Sequence, residues 1–385
     1  MKSYNHLFEV YTSEETIRAA INASSKGKRD RPEVIQYLDA GPEEIARIRS
    51  YAEHFHNRPH VPVQINEGTK HKLRTIVVPR YGEQIVHHMI VIALTSLLTR
   101  GMYYHNYASI PGRGSHLAKR HIERYIRRHK AGVKYCLKMD IRKFFDSVLH
   151  DILLAKLRRQ IHDERFMKIL EEVIGVTGTD RGLPLGFYTS QWFSNWYLQG
   201  LDHYITERLG CVHFRYMDDI VIFGANKRRL HFVRRAIGEY LKNKLGLTLK
   251  ENWQVFRFDY IGEDGEHHGR FLDFMGFRFY RDRTTLRRSI MLKATRKARK
   301  ISKKERPTIY DARQMLSYYG WIIWTNTHGM SLKWITPFIS FKRLRSIVAR
   351  HDKEALEKEG KDYGVVQRTE RGEARDNGYN VVPAV

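Results

Sequence analysis

An α+β fold, with a small antiparallel sheet carrying carboxylates and a helical, strongly basic C-terminal part, is predicted by three observations on this 385-residue sequence. Two apolar, strand-like runs, K-Y-C-L-K-M-D at 134–140 and V-H-F-R-Y-M-D-D-I-V-I-F-G at 212–224, bring acids to a strand end or turn. Much of the remaining chain has apolar residues at helical spacing. Between Arg281 and Arg306 there are twelve Lys or Arg and two acids, yet Met291, Ala294, Ala298 and Ile301 keep an apolar helical stripe.

The elements follow in order. Residues 5–57 show helical spacing interrupted by the basic stretch 25–32, and Pro32 suits the first turn of the next helix because no N–H is needed there. Residues 61–79 turn strand-like on both sides of Asn66-Glu67-Gly68, which predicts a basic hairpin. A helix over 84–98 has Ile85, Met89, Ile92 and Ala93 on one stripe. Pro111-Gly112-Arg113-Gly114-Ser115 then breaks the chain before a helix bearing Arg120, Arg124, Arg127 and Arg128. The turn-rich loop 182–191 precedes a helix expected over 192–209, capped by Thr189 or Ser190 and stopped by Gly210. Its stripe of Phe193, Trp196, Tyr197, Leu201 and Tyr204 reads as core. A basic helix over 227–244, a strand over 245–256 and an aromatic strand over 271–280 follow. Tyr318, Tyr319, Trp321 and Trp324 interleave aromatics with the basic end, as surfaces that grip a nucleic-acid backbone do. From 351 to 385 the chain is charge-mixed and a mobile tail is expected.

At this length two or three subdomains are expected rather than one core. The 68 Lys and Arg against 42 Asp and Glu, a formal +26, point to a polyanionic partner, nucleic acid first and an anionic membrane surface second. No apolar run approaches a membrane span and the N-terminus lacks the apolar core of a signal peptide, so a cytoplasmic protein is expected. Cys136 and Cys211 form no C-x-x-C pair, which argues against a zinc or disulfide framework. The twenty histidines read as solvated or nucleic-acid-facing.

Asp218-Asp219 sits where two short strands meet, a hairpin with charge at its tip. Adjacent carboxylates repel unless water screens them or a cation lies between them. A solvated surface turn is the plain alternative. Asp140, 78 positions earlier, ends another strand, and the three acids meet only if those strands are neighbours in one sheet. So gathered they suit two Mg²⁺ about 3.5–4 Å apart, which implies nucleotidyl transfer. Lys72 and Arg74 on the basic hairpin are suited to a triphosphate, or equally to generic phosphate contact.

From about residue 70 to 330 the chain resembles bacterial reverse transcriptases. Asp140 with Phe144-Phe145, the loop with Gly186 and Ser190-Gln191, Tyr216-Met217-Asp218-Asp219, and Phe274-Met275-Gly276-Phe277 stand in the family's order. The resemblance implies a right-hand polymerase fold: fingers over 1–132, palm over 133–280 and basic helical thumb over 281–350. It implies RNA-directed DNA synthesis from dNTPs, with Asp140, Asp218 and Asp219 catalytic and, together with Ile141, holding two Mg²⁺ (Mn²⁺ as substitute). Arg74, Lys72, Phe145, Leu185, Gly186 and Lys250 would meet the nucleotide, Phe145 as the gate against a ribose 2′-hydroxyl, with a core aromatic as its alternative. Lys250 would assist pyrophosphate departure. Arg113, Arg296, Lys297, Arg299 and Lys300 would grip nucleic acid. Many relatives have Gln-Gly then Ser-Pro where this chain has Leu185-Gly186 and Ser190-Gln191. That variant is most similar to diversity-generating retroelement enzymes, error-prone copiers of a dedicated RNA into cDNA. Defence-associated and retron-like enzymes using a non-coding RNA are the rivals, and a catalytically inactive RNA-binding scaffold is a third. An element-encoded partner, such as a small basic accessory protein, and a bacterial or phage origin are implied in the same way.

Overall fold

The computed structural model describes residues 4–67 and 72–358. The chain divides into two compact units, one of Met1–Ser109, Leu137–Ile222 and Arg228–Gln254, the other of Ile110–Cys136, Phe223–Lys227 and Val255–Val385. Each has its own buried apolar residues.

The first unit opens with four helices, α1 (Leu7–Thr12), α2 (Glu14–Ser25), α3 (Pro32–Leu38) and α4 (Pro42–Glu53). Ser13 caps α2 by accepting from the Thr16 N–H, and Pro32 and Pro42 stand in the first turns of their helices. The basic hairpin is β1 (Pro62–Glu67) with β2 (Lys72–Val77), and its register sets Arg74 opposite Ile65. Helix α5 (Tyr81–Thr99) is buried almost all round and receives α2 and, from much later in sequence, α10 (Tyr188–Tyr197). In the second unit α6 (Ser115–Arg128) buries Ala118, Ile122 and Ile126.

A four-stranded sheet of order β4-β5-β3-β6 positions the acids: β3 (Tyr135–Asp140), β4 (His213–Tyr216), β5 (Asp219–Gly224) and β6 (Gln254–Arg257). Between β3 and β4 run α7 (Phe144–Ser147), α8 (His150–Arg158), α9 (Glu164–Ile174), α10 and α11 (Gln199–His203). Helix α12 (Lys227–Leu245) follows β5.

The second unit holds a hairpin of β7 (Tyr260–Ile261) with β8 (His267–His268), and a three-stranded sheet of order β11-β10-β9. The latter joins β9 (Leu272–Phe274), β10 (Phe277–Phe279) and β11 (Thr284–Leu286). Among the described residues four helices follow, α13 (Arg288–Ser302), α14 (Ile309–Ile322), α15 (His328–Trp334) and α16 (Phe341–Lys358). Met291, Ala294, Ala298 and Ile301 are the buried stripe of α13, as their spacing predicts.

Several expectations are corrected. The helix expected over 192–209 starts at Tyr188 and pauses at Leu198 between α10 and α11, so Thr189 and Ser190 lie inside its first turn. Thr189 Oγ1 instead bonds His87 Nδ1 at 3.0 Å. The strand expected over 245–256 is confined to β6, because Gly246, at φ +62°, ends α12 and the chain then turns. The aromatic stretch 271–280 is a hairpin, not one strand, since Met275 and Gly276 both adopt positive φ and reverse the chain. The tail expected from 351 is helical as far as Lys358, and 359–385 lie outside the described residues. His87, His150 and His213 are buried rather than solvated, and burial pushes His87 down to about 3, so it is neutral.

Candidate active site

The hairpin of β4 and β5 pairs Tyr216 with Asp219, leaving Met217 and Asp218 as a two-residue turn. Met217 has φ +53°, a left-handed backbone that fits the twist of a tight hairpin but disfavours a side chain. Because β5 lies beside β3, the start of one strand meets the end of the other, and Asp219 and Asp218 come to Asp140. The Ile141 N–H donates to the Asp218 carbonyl at 3.3 Å, tying the turn to β3. Ile141 is itself fully buried.

The electrostatics of this corner are unbalanced. Burial first, and then the like charges of Asp140 and Asp219, push the Asp218 carboxyl up to about 7. Asp140 Oδ2 accepts from Lys250 Nζ at 2.5 Å, while its Oδ1 is buried with no hydrogen-bond partner. A buried carboxylate oxygen left unpaired is costly, and it calls for an ion or water. The donors are all oxygen, so the residues fit a hard divalent cation of the Mg²⁺ class better than a soft metal. Lys250 is held against β3 by its own N–H, which donates to the Asp140 carbonyl at 2.8 Å.

The other expected nucleotide contacts belong to the same unit. Val77 N–H donates to the Leu185 carbonyl at 2.7 Å, so the loop lies on β2, the strand of Arg74. Gly186 sits at φ +113°, and a Cβ there would fall 2.0 Å from the Val77 carbonyl oxygen; only glycine allows the approach. The Phe145 carbonyl accepts from Leu183 N–H at 2.8 Å, joining the same loop to the segment after Asp140. Phe144 is core, whereas Phe145 is half-buried. Arg74 is partly exposed; Lys72 stands opposite Glu67 on the hairpin.

In the second unit Arg296, Arg299 and Lys300 are exposed on α13, and Arg113 is partly exposed. Lys297 departs from the expectation of a free phosphate-binding cation: its Nζ bonds Asp311 Oδ1 at 2.9 Å, and Lys304 takes the other oxygen at 2.5 Å. Asp311 in turn caps α14 with Thr308, so Lys297 holds two helices together. Asp259, His267 and Asp282 bring donor atoms within 4.8 Å of one another in this unit, a grouping no sequence spacing announced. Hydrogen bonds account for it, since His267 Nδ1 faces Asp259 Oδ1 at 2.9 Å and Arg283 Nη1 faces His267 Nε2 at 2.6 Å. Sequence reasoning also passed over Arg215 and Asp202, a wholly buried ion pair. An arginine in the apolar run F-R-Y was the available signal.

Residues 65–277, more than half of the chain, match the family described as reverse transcriptase (RNA-dependent DNA polymerase). The chain belongs to that family, and its α+β fold is the right-hand polymerase fold. Protein YkfC of Escherichia coli (strain K12) is 27% identical over 205 residues, 49% of this chain and 54% of that protein. The retron Ec73 reverse transcriptase of Escherichia coli is 27% identical over 142 residues, 32% of this chain and 43% of that enzyme. Apo telomerase from Candida Tropicalis superposes with a TM-score of 0.45 at 12% identity, covering 67% of this chain and 52% of the other. The chain thus spans about half the length of these two relatives.

Proposed function

We propose that this protein is an RNA-directed DNA polymerase that copies a dedicated RNA template into cDNA from dNTPs. The observation that carries the reading is the meeting of Asp140, Asp218 and Asp219 at one corner of the sheet, with a buried oxygen of Asp140 unpartnered. These three acids, with Ile141, would hold two Mg²⁺, which supply activation of the primer 3′-hydroxyl and charge for the departing pyrophosphate. Arg74 and Lys72 bind the triphosphate, and Phe145 lies against the sugar and excludes a 2′-hydroxyl. Lys250, whose Nζ bonds Asp140 Oδ2, gives a proton to the leaving group. Fingers over 1–132, palm over 133–280 and thumb over 281–350 divide this labour, and Arg113, Arg296, Arg299 and Lys300 bind template and product backbone. The setting is the cytoplasm of a bacterium or a phage-infected cell.

The finer role is error-prone copying of the diversity-generating kind. Leu185 supports it, because an apolar side chain beside Gly186 cannot make the hydrogen bond that a Gln offers near the nucleotide, so right and wrong pairs differ less in energy. A retron-like role with a non-coding RNA is the second reading, favoured by the similarity to the retron enzyme. Primer extension on a defined RNA, with and without chelator, tests the polymerase. Sequencing the products of parent and Leu185→Gln tests the finer role: Gln should lower the error rate, and equal error spectra from two active enzymes would refute it.

A further inference from the structure

Arg215 lies two residues before Met217 and is fully buried. All five of its N–H donors are engaged. Nε and Nη2 form a two-pronged pair with Asp202, at 2.7 Å to Oδ1 and 2.6 Å to Oδ2. Nη2 also donates to the Asn195 carbonyl at 3.4 Å, and Nη1 to Asn195 Oδ1 at 3.2 Å and to the Met217 carbonyl at 3.1 Å. Only a rigid planar fork serves these directions together; a lysine has three rotatable donors on one point. Asn195 is fixed in turn, its Nδ2 donating to the Ala108 carbonyl at 2.7 Å.

The last of Arg215's acceptors is the informative one. Met217 holds the strained, left-handed backbone from which Asp218 leaves the turn. Its carbonyl is gripped by Arg215, and the next carbonyl, that of Asp218, by the Ile141 N–H. The two peptide groups that aim Asp218 are therefore clamped from opposite sides, one by a buried cation whose charge Asp202 balances and one by the neighbouring strand. An ion pair serving stability alone would need Asp202 and Arg215 but not the bond to Met217.

We propose that Arg215 is a positioning residue for the metal-binding turn: by holding the Met217 carbonyl it keeps the backbone that presents Asp218 to Asp140, so the carboxylates meet a divalent cation already arranged. Its effect on catalysis rests on the polymerase reading above; its effect on metal binding does not.

The test uses the full chain carrying Arg215→Lys, with Arg215→Gln/Asp202→Asn as a charge-balanced second variant should the first not fold. Mn²⁺ binding to the protein without nucleic acid is followed by loss of the free-ion electron paramagnetic resonance signal, the share at the acids being read as the difference from Asp218→Asn. Affinity at that site should fall about ten- to hundredfold, as when a ligand loses its orienting partner. At saturating Mg²⁺, kcat should fall with little change in KM for dNTP, and RNA affinity should stay at the parent's value. Adding Met217→Gly to Arg215→Lys should recover part of the Mn²⁺ affinity, because glycine takes positive φ unaided. Parental Mn²⁺ affinity and parental kcat per folded molecule in either variant would overturn the clamp. A parent that binds Mn²⁺ and loses it in the variant, but never extends a primer, would overturn the polymerase reading and uphold the clamp.

Discussion

Asp202 and Asp218 stand sixteen positions apart, both largely withdrawn from water, and the protein treats their charges in opposite ways. Burial alone would push both carboxyls up. At Asp202 the Arg215 guanidinium and His213 outweigh burial and hold the carboxyl below the usual carboxylate range. At Asp218 burial acts first and the like charges of Asp140 and Asp219 add to it, so its carboxyl is pushed up to about 7. A compensated charge is architecture, fixed and closed to ligands. An uncompensated one is a standing demand for a cation, and the chain places Arg215 so that the first serves the second.

The largest expected effect separates the two at the level of chemistry. Asp140→Ala or Asp218→Ala should abolish dNTP incorporation while RNA binding survives, because the cations proposed to bind RNA are on other residues. Primer extension and filter binding on the same preparations check this; extension by either variant would remove the acids from the active site.

The next contrast is one of stability. Asp202→Asn leaves Arg215 buried without its counter-charge and should cost about 3–5 kcal/mol in equilibrium unfolding. Asp218→Asn, made in metal-free protein at neutral pH, should leave stability unchanged or raise it, since it removes repulsion. The pH dependence follows from the depressed carboxyl of Asp202: its contribution is fully present above the unfolded value of about 3.9 and is lost as pH falls below it. The gap between parent and Asp202→Asn should therefore close on acidification, and a gap that persists well below that pH would assign the stability to something other than this pair.

Smaller effects test the surroundings of the converging acids. Phe145→Ala should let ribonucleotides in that the parent rejects, and a loss of about 1.4 kcal/mol in discrimination would read as tenfold. Unchanged selectivity would return Phe145 to the core alongside Phe144. The smallest effect belongs to charges that are neither compensated nor converging. Replacing Arg296, Arg299 and Lys300 by Gln should flatten the salt dependence of RNA–DNA duplex binding by up to about 0.9 per lost phosphate contact. Lys297 is left out of that set, because its charge is already spent on Asp311.

The elements with strong periodicity were legible in the chain itself. The three- and four-residue spacing of apolar residues in α13 left only one face able to pack, and Asp218-Asp219 between two apolar runs left only a hairpin. Gly186 could be singled out as a loop glycine, but not its reason, since the Val77 carbonyl that excludes a Cβ comes from more than a hundred residues away. The boundaries that failed, at Tyr188, Leu245 and Met275, are places where a left-handed residue or a tertiary contact outweighed local propensity. What the residues alone determined was which groups carry charge and which faces are apolar, because these are properties of side chains and their spacing. Which charges are neutralised, Asp202 by Arg215, Asp140 in part by Lys250 and Lys297 by Asp311, and which is left to the like charges around it at Asp218, was decided only by tertiary structure, because compensation depends on distance and burial between parts of the chain that sequence order does not bring together.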